Sequence, residues 1–224
     1  LIFLLAPLFR RPLSGAALLA AGIILALVPA LVWLAVFDQQ AQIEPEPKGY
    51  IAGVFLLGAL AAAAIGQPLI QDLFQVNAWA SDNLWLKLLA GVTVVGATQE
   101  FLKYAAVRYS VFRSPEFDER VDGIIYGAAA GLGYATMLNI SYVVGHGGVD
   151  LGVGAIRCAV TALAQASFAG VTVYFLGRAK HEARGPLWLP AGIVLAALLN
   201  GLVTGRLGEV SRTGLRATPI NGLP

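Results

Sequence analysis

Glu100 is a carboxylate set inside an apolar run. Gln99-Glu100-Phe101-Leu102-Lys103 lies in a stretch hydrophobic enough to enter a bilayer. An ionised side chain there is costly, so it is either functional or paired. Lys103 follows three residues on, and positions i and i+3 share a helix face. Two readings stand side by side: Glu100 as a catalytic acid or base, or Glu100 and Lys103 as a structural ion pair near a helix end. Other reactive groups are few. His146 sits in Gly145-His146-Gly147-Gly148 and reads as a solvated loop histidine or as a ligand for a metal or pigment. His181 stands among Arg178, Lys180 and Arg184, a basic membrane-surface patch. Cys158 is the single cysteine, so neither an intrachain disulfide nor a thiolate metal cluster can form.

The elements that must hold these residues are helices in a membrane. Charged residues make up 12% of the chain and mean hydropathy is +0.73. A soluble domain carries about 25% charged residues, so the chain belongs in the bilayer. The net charge of +2 is too small to argue for nucleic acid. A span needs about 20 apolar residues. Six segments are expected to qualify, at about 13–37, 50–65, 84–112, 121–144, 153–176 and 187–207. The third is long and should tilt or project. Residues 1–9 read as an interfacial stub, 67–83 as a stretch along the membrane surface, and 208–224 as an extended polar tail. Arg10 and Arg11 oppose the basic connections around 113–122 and 178–184. The positive-inside rule favours these two connections being cytoplasmic. Gly123, Gly127 and Gly131 recur every four residues, which strips side chains from one helix face and invites another helix to pack closely. The same face continues toward Leu138, which should look inward. The simplest organisation is one domain over 1–224.

Several separate motifs, in order, carry a family resemblance. They are Gln99 through Lys103; Phe117-Asp118-Glu119-Arg120-Val121-Asp122-Gly123-Ile124-Ile125-Tyr126-Gly127; Gly133-Tyr134-Ala135-Thr136 with Asn139; Tyr174 through Ala179; and Leu198-Leu199-Asn200-Gly201. The chain resembles the PrsW family of bacterial intramembrane proteases, whose best-known members cut anti-sigma factors and which are distant relatives of the CAAX prenyl proteases. The resemblance covers about residues 95–205, within a core of about 84–207. It implies an all-α polytopic bundle of about six transmembrane helices in a bacterial cytoplasmic membrane. It also implies a site. Where the family has Glu-Glu and a Lys, this chain has Gln99, Glu100 and Lys103. Where the family has Glu before Asn, this chain has Leu138 and Asn139. The family's two histidines and its following Asp correspond to Gln165, Asn200 and Thr204.

Hydrolysis needs a base to take a proton from water or a metal to acidify it, and a metal needs about three His, Glu or Asp ligands. One ionisable acid of the template remains. The expectation is therefore a non-catalytic relative, a pseudoprotease without metal or cofactor. It would serve as a structural or assembly subunit beside other membrane protein subunits and lipids. Gln99, Asn139, Gln165 and Asn200 are expected to form a neutral hydrogen-bond network between helices. The alternatives are an active intramembrane protease using Glu100 with a relocated partner such as His146 or Asp122, and a lipid- or pigment-binding subunit.

Overall fold

The computed structural model describes residues 15–40, 46–80, 83–145 and 151–214. Among them there is no strand, and the chain is an all-α polytopic membrane protein. In chain order, α1 is Ala16–Gln40 and α2 is Lys48–Ala61, which runs on through two π-helical turns, π1 (Ala62–Gly66) and π2 (Leu69–Leu73). The short α3 (Val76–Trp79) follows. Next come α4 (Leu84–Ala90), π3 (Gly91–Gly96) and α5 (Ala97–Tyr109). Then α6 is Asp122–Gly145, α7 is Leu151–His181 and α8 is Trp188–Gly214. Leu19–Phe37, Lys48–Trp79, Asp122–Gly145 and Gly154–His181 are long and apolar enough to cross a membrane, and Trp188–Thr204 is a shorter apolar helix. The large exposed residues of α1, among them Ile24, Leu31 and Val32, form the apolar surface that such a span presents to lipid.

Three expectations about these elements change. The third span is not a continuous α-helix, because π3 interrupts it between two glycines. The second runs on to Trp79, taking in most of the stretch expected along the surface. Its π turns flank Pro68, whose ring would meet the carbonyl four residues back and which has no N–H to give; a wider turn relieves both problems. The helix of α8 continues to Gly214, beyond the expected boundary at 208, since the sequence holds no proline there until Pro219. The stub at 1–9, the end of the tail at 215–224, and His146 lie outside the described residues.

The centre of the bundle is α6, packed against α1, α2, α5 and α7. Its glycines set the distances. A Cβ on Gly123 would run into the carbonyl of Val173, and one on Gly131 into that of Gln165. At Gly127 the Ala169 carbonyl oxygen would lie 2.7 Å away. So α6 meets the backbone of α7 at three successive turns. On its other side Gly133 meets the Phe55 carbonyl of α2, and Gly58 of α2 meets Ala130. A second close contact joins π3 to α8: a Cβ on Gly96 would lie 2.5 Å from the Ala197 carbonyl oxygen, and one on Gly201 would lie 2.6 Å from the amide nitrogen of Val92. These backbone approaches bring α5, α7 and α8 together around one level of the membrane.

Polar clamps close the ends. The Asn83 side chain accepts the amide of Trp85 at 2.8 Å and caps α4. Lys180 donates to the carbonyls of Phe112 and Phe117, tying the 110–121 connection to the end of α7. Arg178, Arg184 and Arg120 converge on Glu182. Before α2, the buried Glu46 carboxylate accepts the Tyr126 hydroxyl of α6 at 2.5 Å.

Two outcomes are expected. Gly127→Ala must force α6 from α7 and should destabilise the protein by about 1–3 kcal/mol. Gly53→Ala, which meets nothing within 4 Å, should be neutral or stabilising; equal losses of thermal stability in detergent would remove the role assigned to the glycine face. Burial, reinforced by Asp122 and Asp118 and partly offset by the Tyr126 hydrogen bond, pushes the Glu46 carboxyl up from 4.5 to about 7. The folded chain then holds a proton that the unfolded chain has released between those values. Stability should be highest below about pH 5 and fall as pH rises through 7. Glu46→Gln should flatten this slope, and a slope unchanged in that variant would contradict the assignment.

Candidate active site

Glu100 lies one turn inside α5, just after the close contact of π3 with α8, and its exposure is 0%. Lys103, on the same face, is equally buried and donates to Glu100 Oε1 at 2.5 Å. The ammonium also donates to Gln165 Oε1 of α7 at 2.7 Å. Gln165 Nε2 in turn donates to Gln99 Oε1 at 3.0 Å and to Asn200 Oδ1 at 3.3 Å. Asn200 Nδ2, from α8, donates to Gln99 Oε1 at 2.9 Å and to Glu100 Oε1 at 2.8 Å. Thr204 donates to Asn200 Oδ1 at 3.0 Å, and Thr172 donates to Glu100 Oε2 at 3.2 Å. Three helices thus contribute to one polar centre held between apolar walls.

The two carboxylate oxygens differ. Oε1 accepts from both Lys103 and Asn200. Oε2 has only the longer Thr172 contact. The ammonium offsets the carboxylate charge at one edge and leaves the other edge the more available acceptor. Hydrogen bonds therefore crowd one carboxyl oxygen and leave the other with a single contact.

Of the residues singled out from the sequence, Gln99, Glu100, Lys103, Gln165, Asn200 and Thr204 meet here. Thr172 joins them and was missed; it lies two α7 turns beyond Gln165, on the same helix face, which is the signal that would have found it. Leu138 and Asn139 do not join. Asn139 donates instead to the Cys158 carbonyl at 3.1 Å. Leu138 packs against the apolar cluster of Ala62, Leu102 and Tyr134. The expected four-carboxamide network therefore has three carboxamides, and a lysine stands in its middle. Asp122 accepts the Glu119 amide at 2.6 Å and belongs with Glu46 and Tyr126 at the end of α6, not with Glu100.

These features define an all-helical membrane protein with one glutamate in a buried polar centre. Residues 46–216 match the PrsW family intramembrane metalloprotease profile. The chain belongs to that family. It is 29% identical to Protease PrsW of Halalkalibacterium halodurans over 79% of each chain. It is also 29% identical to Protease PrsW of Bacillus subtilis, over 83% of this chain and 80% of that one. Protease PrsW of Geobacillus kaustophilus is 28% identical, over 88% and 82% respectively. No solved structure matches the chain.

These relatives overturn the expectation of a non-catalytic pseudoprotease acting as a structural or assembly subunit, because the family and the named relatives are proteases. That expectation counted ionisable side chains at template positions. General-base chemistry needs one carboxylate kept ionised and reachable by a water, and the count overlooked what the neighbours do for Glu100.

The family description implies a metal. The side chains gathered here do not fit one. One carboxylate, three carboxamides and two hydroxyls offer a single strong ligand, and the Lys103 ammonium, which would repel a divalent cation, bonds to that ligand. Among the described residues no group of three or more His, Cys, Asp or Glu comes together.

Removing one member of a buried ion pair strands the other charge, typically at about 3–5 kcal/mol. Lys103→Met and Glu100→Gln should each lower thermal stability. The double variant should be more stable than the sum of the two single losses requires, because neither charge is then left alone. A double variant showing simple additivity would refute the pairing.

Proposed function

We propose that this chain is an intramembrane protease of the bacterial cytoplasmic membrane, hydrolysing peptide bonds in the membrane segments of other proteins with Glu100 as general base. The observation that carries this reading is the Glu100 carboxyl group, fully buried, bonded to Lys103 and Asn200 through one oxygen and to Thr172 alone through the other.

The residues assign the steps. A water bonded to Glu100 Oε2 gives that oxygen a proton as its own oxygen attacks the scissile carbonyl carbon. The carbonyl π bond opens, and negative charge gathers on the carbonyl oxygen. Lys103 and the amide groups of Gln165 and Asn200 are the nearby N–H donors that can stabilise this charge. The carbon–nitrogen bond then breaks, the carbonyl re-forms, and the proton held by Glu100 passes to the departing amine. Glu100 ends as it began, a carboxylate paired with Lys103. Apolar walls exclude bulk water, so each of these interactions acts at low dielectric.

Purified chain reconstituted with a panel of single-span bacterial membrane proteins should release cleavage products. Glu100→Gln should lower the rate by about 10²–10⁴-fold, the usual worth of a general base, and chelators should change it less than about twofold, since no metal-binding set comes together among the described residues. Cleavage that persists undiminished in Glu100→Gln would refute the assignment of the base.

A further inference from the structure

Behind the polar centre stands a hydrogen-bonding group that no described residue uses. Tyr134 of α6 is fully buried, and among the described residues its hydroxyl has no hydrogen-bond partner. Burying a hydroxyl without a partner is unfavourable, and each such group in a native protein calls for an explanation. Its position is specific. The Tyr134 ring faces Lys103, with the ammonium 5.7 Å from the ring centroid. The hydroxyl, at the far edge of the ring, abuts Gly66, where a Cβ would overlap it. Ala62, Leu102 and the half-buried Met137 and Leu138 pack around the ring.

Gly66 is the last residue of π1. On the outer side of this turn, Ala64, Ile65, Pro68, Leu69, Asp72 and Leu73 line an open groove of about 500 Å³. The Tyr134 hydroxyl thus lies against the π turn, and its ring faces Lys103, which bonds to Glu100. π turns are found disproportionately at functional sites, because the helix there gives way locally without unravelling. No acceptor among the described residues reaches the hydroxyl, which leaves it able to donate to one that a ligand brings. A transmembrane helix brings none, since its backbone carbonyls are bonded within the helix. An unwound membrane segment brings a row of free carbonyls, and only an unwound segment exposes a peptide bond to attack.

We infer that the Tyr134 hydroxyl binds a main-chain carbonyl of an unwound substrate segment, which reaches Glu100 past the π-helical turn at Gly66. This rests on the proteolytic reading for the identity of the ligand, but its test does not need turnover. Two fluorescent single-span peptides serve as probes in lipid nanodiscs. One carries an Asn-Gly pair in the middle of its apolar segment, which favours unwinding. The other carries Ala-Leu at the same place. Binding is measured on the full chain bearing Glu100→Gln, so that neither probe is consumed, with and without Tyr134→Phe.

The Asn-Gly probe should bind more tightly than the Ala-Leu probe. Tyr134→Phe should weaken the Asn-Gly probe by about 2–10-fold, the range of one hydrogen bond, and leave the Ala-Leu probe unchanged. The melting temperature of Tyr134→Phe should stay level or rise, because an unpaired polar group has gone. Equal binding of the Asn-Gly probe with and without the hydroxyl would overturn the inference. So would an equal loss for both probes, or no binding of either. If the chain proves to cut no substrate while the Asn-Gly probe still depends on Tyr134, the proteolytic reading fails and the binding role stands. A second pair of variants guards against a folding defect. Gly66→Ala collides with the hydroxyl and should destabilise the chain, and adding Tyr134→Phe should restore stability without restoring preference for the Asn-Gly probe.

Discussion

The contact between the Lys103 ammonium and the Glu100 carboxylate is the constraint around which the bundle is arranged. Each charge is fully withdrawn from solvent. Each would be strongly unfavourable alone, and together they still leave acceptors and donors to be satisfied. The surrounding helices meet that demand: α7 brings Gln165 and Thr172, and α8 brings Asn200 and Thr204. These bonds need close donor–acceptor distances, so they favour one register of the three helices. The glycine contacts make that register reachable. Without Gly91, Gly96 and Gly201 lying almost backbone to backbone, Asn200 would stand too far from Glu100.

The same pairing gives the site its chemical asymmetry. An ammonium in place of a divalent ion can hold a carboxylate ionised and stabilise developing negative charge, but it does not acidify a bound water as a metal does. In the proposed mechanism the proton therefore goes to the carboxylate itself. The centre of this family member is thus organised by an internal cation fixed to the chain, and its charge balance is complete when no ligand is bound. Departure of Lys103 from the site would cost a buried charge, so the pair also secures the fold.

Backbone irregularity is concentrated where it has a use. Among the described residues, the three π turns lie in the two segments that flank the polar centre on its α2 and α5 sides, while α6 and α7 are unbroken. A membrane tolerates unsatisfied backbone only where protein or water covers it. Proline at 68 and glycines at 91 and 96 place the wide turns; packing against Tyr134 covers π1 and packing against α8 covers π3, while π2 stays exposed beside the groove. Local give in the helix and close helix contact therefore come from the same small residues.

Much of this was legible in the residues alone. Low charge and long apolar runs required membrane helices, since no other structure satisfies the backbone in lipid except a closed barrel. Glu100 three residues from Lys103 required pairing or function, and glycine at every fourth position of α6 required a close neighbour. What one dimension could not supply was which polar side chains meet. Asn139 is next to a residue aligned with the family's site, yet its face of α6 turns to the Cys158 carbonyl, and Leu138 turns to the apolar wall. Thr172 had no motif to announce it and enters because α7 runs straight past Glu100. The unpaired hydroxyl of Tyr134 is likewise invisible in sequence, since a missing partner is a property of the surroundings and not of the residue. Composition and periodicity decide that helices form and which stripes are apolar; the rotation and depth at which those helices lock, set by backbone contacts between glycines far apart in the chain, decide which of their polar groups do chemistry together.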